Sequence, residues 1–63
     1  MNNLALELFD EMSVLWEEIK ADHQKAFAKG NKSAARRART NLGILKKRIS
    51  PYRQASSDAF KQD

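Results

Sequence analysis

The chain has no cysteine, one proline, two glycines and one histidine among its 63 residues, and each scarcity removes a class of function. Without cysteine there is no disulfide and no thiolate nucleophile or ligand, and a lone His23 cannot supply a histidine-based metal cluster. His23 is expected to be a packed or rim residue, with a ligand role a distant second. Gly30 and Gly43 are too few for a phosphate-cradling loop, and no serine sits in a strained glycine elbow. The acids Glu7, Asp10, Glu11, Glu17 and Glu18 read more simply as a solvated or ion-paired helix face than as a catalytic pair. No enzyme activity, cofactor, metal or small-molecule substrate is therefore expected. No apolar run approaches the roughly 18 residues of a membrane span, and the N-terminus lacks the basic flank and apolar core of a signal peptide. Together with the missing cysteine, which fits a reducing compartment, this predicts a soluble, cytoplasmic protein with no membrane partner.

Small size is a further shortage. A chain of this length buries only about 60% of the surface its unfolded form exposes. One core of that size rarely supplies more than about 3 to 5 kcal/mol, and neither disulfide nor metal adds to it. Oligomerisation is the remaining source of stability.

What is present is charge, placed unevenly. Residues 1–22 carry six acids (Glu7, Asp10, Glu11, Glu17, Glu18, Asp22) against Lys20, a balance of −5. Residues 23–57 carry ten bases and no acid, and the closing segment with Asp58, Lys61 and Asp63 contributes −1 to the net +4. Part of this dipole draws two helices together, but the positive excess on one element is larger than folding alone requires.

The densest positive charge coincides with the strongest chain reversal, at Lys29-Gly30-Asn31-Lys32-Ser33-Ala34-Ala35-Arg36-Arg37-Ala38-Arg39. Gly30 and Asn31 tolerate the left-handed backbone that ends a helix, and Ser33 or Asn31 can cap the next one. A solvated helix start would account for the composition. Yet the helix dipole disfavours cations at an N-terminus, so the clustering works against stability and a polyanion becomes the natural partner.

Before this turn, Asn2 or Asn3 can cap a first helix over about 3–28, with Leu8, Met12, Leu15, Ile19, His23 and Ala26 on one face. Phe9, Trp16 and His23 recur at steps of seven beside it, so the apolar surface is wider than a coiled-coil seam. After the turn, Ala35, Ala38, Leu42, Leu45, Ile49, Tyr52, Ser56 and Ala59 make an unbroken heptad seam over about 33–60. Ser50-Pro51 could open a third, short helix, but the seam keeps its register through Pro51, which favours one helix kinked there. Gly43 weakens the same helix by roughly 1 kcal/mol relative to alanine and faces outward.

Two long helices joined by a short turn, about residues 29–32, must fold back on each other. The predicted fold class is all-α, a single domain over residues 1–63 built as an antiparallel two-helix hairpin. Matching the helix ends brings Glu11 near Arg48 and sets Phe9, Trp16 and His23 opposite Arg53, Lys46 and Arg39. The aliphatic stems of those cations can cover the rings. Alternatively the aromatics face a second copy, and two hairpins form a four-helix bundle, a homodimer with Leu8, Phe9, Met12, Leu15 and Trp16 at its interface. The second arrangement suits so small a chain better.

Lys32, Arg39, Lys46 and Arg53 stand seven residues apart, hence along one side of the helix at intervals of about 10.5 Å. Arg36, Gly43 and Ser50 lie on the next strip outward, where small residues leave room for a phosphate backbone between cations. Such a stripe reads as phosphate contact, because the short exposed recognition helix with Asn or Gln among arginines is missing.

The run Lys29-Gly30-Asn31-Lys32-Ser33-Ala34-Ala35-Arg36-Arg37-Ala38-Arg39-Thr40, then a leucine-lysine segment and Tyr52-Arg53-Gln54-Ala55-Ser56, resembles the chlamydial-type bacterial histone family over about residues 5–60. The resemblance implies a small helical nucleoid-associated protein that binds double-stranded DNA with little sequence preference and contributes to chromosome compaction. By position it assigns phosphate contact to Lys29, Lys32, Arg36, Arg39, Lys46 and Arg53, and the candidate set adds the adjacent Arg37 and Lys47. Members of that family continue into a long Lys- and Ala-rich tail; the sequence here ends at Asp63, and Pro51 is not a family trait. Binding is therefore expected to reside in the hairpin. The alternative is a helical interaction module that uses its charge dipole to dock on an acidic partner.

Overall fold

A computed structural model describes residues 3–61, so the candidate cap Asn2 and the terminal charge of Asp63 lie outside the described residues. Two helices, α1 (Leu4–Lys29) and α2 (Lys32–Ala59), make up almost all of that span, with no strand among the described residues. Their boundaries follow from local chemistry. Asn3 starts α1: its Oδ1 accepts the Leu6 amide at 3.3 Å, and its carbonyl accepts the Glu7 amide at 3.3 Å. Glu7 in the first turn and Lys29 in the last complement the helix dipole. Gly30 ends the helix at φ 63°, ψ 33°, a left-handed conformation that costs any residue with a Cβ about 1 kcal/mol or more. The next residue already caps α2. Asn31, rather than Ser33, is the cap, its Oδ1 accepting the Ala34 amide at 3.0 Å.

α2 passes through Pro51 without ending, so no third helix forms among the described residues. Proline has no amide to offer the carbonyl of Lys47 one turn back, but both residues are exposed and water can take that place. The two helices pack antiparallel along their whole length into a rod of 52 × 16 × 13 Å. Neither helix is long and apolar enough to cross a membrane.

The contact between the helices is one residue layer deep. α1 turns Ala5, Leu8, Met12, Leu15, Ile19, Asp22 and Ala26 inward, all buried or half-buried, in alternating steps of three and four. Asp22 thus stands where His23 was expected, and His23 is exposed. The correction has an electrostatic cause, since Asp22 can face the partner helix only because an arginine of α2 binds its carboxylate. α2 contributes Ala34, Ala38, Asn41, Leu45, Tyr52 and Ala55. Leu42 and Ile49, expected on this seam, remain 45% and 42% exposed, and Ala59 is exposed as well. Here steric fit outranks bulk: Ala34 and Ala38, with no side chain beyond Cβ, let the helices close up near the turn, and that rotation carries the larger residues to one side. Of the five buried side chains among the described residues, Ala5, Leu8, Ile19, Ala34 and Ala38, three are alanines. Leu8 and Ile19, the two large side chains among them, contribute about 1.5 to 3 kcal/mol each, and the half-buried Met12, Leu15, Leu45 and Tyr52 add to this.

Candidate nucleic-acid interface

The eight candidate cations all come out exposed. Lys29 is the last residue of α1 and Lys32 the first of α2, so the two flank the Gly30-Asn31 turn. Arg36, Arg37, Arg39, Lys46, Lys47 and Arg53 are distributed along α2. Lys32, Arg39, Lys46 and Arg53 keep their seven-residue step over a continuous helix and form a line on the order of 30 Å long. Gly43 faces open space, with nothing within 4 Å of where a Cβ would stand. The first turn of α2 contains no acid, so Lys32 meets the positive end of the dipole uncompensated, at about 0.3 to 1 kcal/mol.

Arg37 differs from the others. It points to the opposite edge of the hairpin, where its Nε and Nη2 donate to the two carboxylate oxygens of Asp22 at 3.4 and 3.1 Å. On the same edge Arg48 meets Glu11 at 3.3 Å, as the helix ends implied. The Asp22 pair was not foreseen, yet a signal for it exists: Glu11 and Asp22 are separated by the same distance in sequence as Arg37 and Arg48. Eleven residues is close to three helical turns, so two antiparallel helices in register must present both pairs together. Within α1, Glu17 holds Lys20 at 2.9 Å. Among the described residues, no ion pair engages Lys32, Arg39, Lys46 or Arg53.

Among the described residues, the other edge carries no ion pair between the helices. There α1 presents Phe9, Trp16 and His23, and α2 presents Leu42 and Ile49, with Phe9 55% and Trp16 47% exposed. The Phe9 ring meets Tyr52 at 6.2 Å between centroids, and His23 meets Phe27 at 4.9 Å, both tilted. An open hollow of about 510 Å³ lies between Trp16, Lys20 and His23 on one helix and Ala38 and Leu42 on the other. Of the residues expected at a dimer interface, Leu8 belongs to the hairpin's own core, Met12 and Leu15 are half-buried, and Phe9 and Trp16 remain uncovered.

No curated protein and no solved structure matches the chain. The family model for the histone H1-like protein Hc1 does match, over residues 6–62, a span that takes in α1 from Leu6 onward, all of α2 and every candidate cation. That span covers nearly the whole sequence and contains the Lys29–Thr40 run on which the resemblance rested, so the chain belongs to the chlamydial histone family, a structural, histone-like and DNA-binding one.

Proposed function

We propose that the protein binds double-stranded DNA through the phosphate backbone, with little sequence preference, and contributes to compaction of the bacterial nucleoid in the cytoplasm. One observation carries this reading: a line of four cations on one helix, none of them in an ion pair among the described residues, while two other arginines are consumed in holding the hairpin together. Cations left unpaired, Lys32 among them at a cost to helix stability, are suited to an external polyanion. Base readout has little to work with. Asn41, an amide that could read adenine, is half-buried between the helices, and the Gln54 amide donates to Asp58 at 3.1 Å. Two hairpins joined over the apolar edge of Phe9, Trp16, Leu42 and Ile49 form the working unit in this reading, because a core of five buried side chains is thin for an independent fold.

Titration of duplex binding against salt tests it. Contacts from Lys32, Arg36, Arg39, Lys46 and Arg53 give log affinity a slope of roughly −0.9 per phosphate against log salt. Arg39→Ala should flatten that slope by about one unit and weaken unrelated sequences equally. Lys61→Ala, which removes a base off the stripe that is paired with Asp58 at 3.6 Å, should change little. Equal losses from both would leave net charge as the explanation, and a wild type that shows no salt-sensitive binding to the duplex at all would leave the interaction module in its place.

A further inference from the structure

The basic stripe and the apolar edge are neighbours on α2. Leu42 and Ile49 stand three or four residues from Arg39, Lys46 and Arg53, so the cations form the ridge next outward from the edge. On α1, the ridge that follows Phe9 and Trp16 runs through Ser13 and Lys20, and beyond it lie Asp10 and Glu17. A second copy can cover this edge about either of two symmetry axes. An axis across the helices sets α2 on α2 and brings together two helices that each carry eight bases against one acid, Asp58. An axis parallel to the helices sets α1 of each copy on α2 of the other, an acidic element on a basic one, and charge complementarity selects it.

That axis leaves heights along the rod unchanged, and the hairpin's own pairs fix those heights. Glu11 is level with Arg48, and Asp22 with Arg37. The partner's Asp10 therefore comes level with the interval between Lys46 and Arg53, and the partner's Glu17 with the interval between Arg39 and Lys46. These are the positions of Ser50 and Gly43, where α2 itself offers no bulk.

Building on the dimer and the phosphate stripe, we propose that Asp10 and Glu17 of one copy interleave with Arg39, Lys46 and Arg53 of the other, neutralising the stripe until DNA phosphates displace them. The second copy then supplies half of the site. Its carboxylates stand in for phosphates in the free protein and make DNA entry an exchange of anions. The local Glu17 to Lys20 pair must be shared or opened, at little cost for two exposed side chains in adjacent turns.

A charge swap read by sedimentation equilibrium, without DNA and at low salt, tests the arrangement. Glu17→Lys and Lys46→Glu should each raise the dimer dissociation constant about fivefold or more, and the double variant should return it to within about twofold of wild type. A double variant as weak as either single overturns the interleaving. A wild type that stays monomeric at every concentration overturns the dimer beneath it, and leaves the salt titration above to judge DNA binding separately. On duplex DNA, Asp10→Asn with Glu17→Gln should tighten binding more than Glu7→Gln with Glu18→Gln, which removes the same charge away from the stripe. Equal tightening by the two pairs reduces the effect to net charge and overturns the proposal.

Discussion

The two long edges of the hairpin are built from the same helices and do opposite things. On one, Asp22 binds Arg37 and Glu11 binds Arg48, so acid meets base within the chain and little attraction is left for anything outside. On the other, Phe9, Trp16, Leu42 and Ile49 lie uncovered beside a row of cations that no carboxylate of the described chain engages. Charge on the first edge specifies which residues of the two helices stand level. Charge and apolar surface on the second edge exceed what the hairpin can use, and both are therefore available to partners. A charge dipole along the sequence is thus not one feature but two, separated by half a turn of helix: a device for register and, in the proposed reading, a device for binding.

The largest expected effect comes from removing the main side chain of the open edge. Trp16→Ala should cost about 3 kcal/mol or more if a second copy covers the ring, and it should do so in a concentration-dependent way, with mass shifting toward monomer or unfolded chain. Leu8→Ala supplies the control, because Leu8 is buried within the hairpin and its loss, of similar size, should weaken each chain whatever the concentration. Urea unfolding at two well-separated concentrations, with mass measured alongside, reads both. If Trp16→Ala proves mild and concentration-independent, the open edge is surface and the contrast between edges lies in charge alone.

Removing the better pair of the closed edge should come second. Asp22 keeps only 13% of its side-chain surface exposed and accepts two hydrogen bonds from Arg37, so Asp22→Ala should cost about 1 to 2 kcal/mol in thermal or urea unfolding. On DNA the same edge predicts a difference between neighbours. Arg37→Ala should weaken binding less than Arg39→Ala, since one arginine is engaged with Asp22 and the other is free to meet phosphate.

How far the sequence discloses this design depends on which kind of signal carries each part. The hairpin is legible because Gly30 and Asn31 stop one helix and cap the next by backbone chemistry that no tertiary context needs to arrange. Glu11 opposite Arg48 is legible for a related reason: once two antiparallel helices share a turn, their levels are fixed. The rotation of each helix is harder. The heptad reading shares Ala38, Leu45 and Tyr52 with the observed seam but also placed Leu42 and Ile49 there, whereas Ala34, Asn41 and Ala55 take the remaining positions, because close approach at Ala34 and Ala38 rewards the smallest side chains and a hydrophobicity pattern does not register close approach. Asp22 was masked similarly, since a carboxylate looks solvent-facing until its arginine is identified. The stripe survives these corrections because a seven-residue step persists through any rotation of the helix, whichever way the helix turns.

The smallest effect expected is also the one that tests whether the closed edge acts by energy or by position. Glu11 and Arg48 meet at 3.3 Å with about half of each side chain exposed, 54% and 46%. Water and salt screen such a pair, and holding two long side chains still offsets most of the remaining attraction. A double-mutant cycle with Glu11→Gln and Arg48→Gln should therefore give a coupling of about 0.5 kcal/mol or less, falling further at high salt. The hairpin should nevertheless keep its register, since Asp22 with Arg37 fixes the same levels from the turn end and the cap at Asn31 fixes the start of α2. A coupling above about 1 kcal/mol would mean the pair is held more rigidly than its exposure implies. The closed edge would then be a source of stability in its own right, and the division between an edge that sets register and an edge that binds would have to be redrawn.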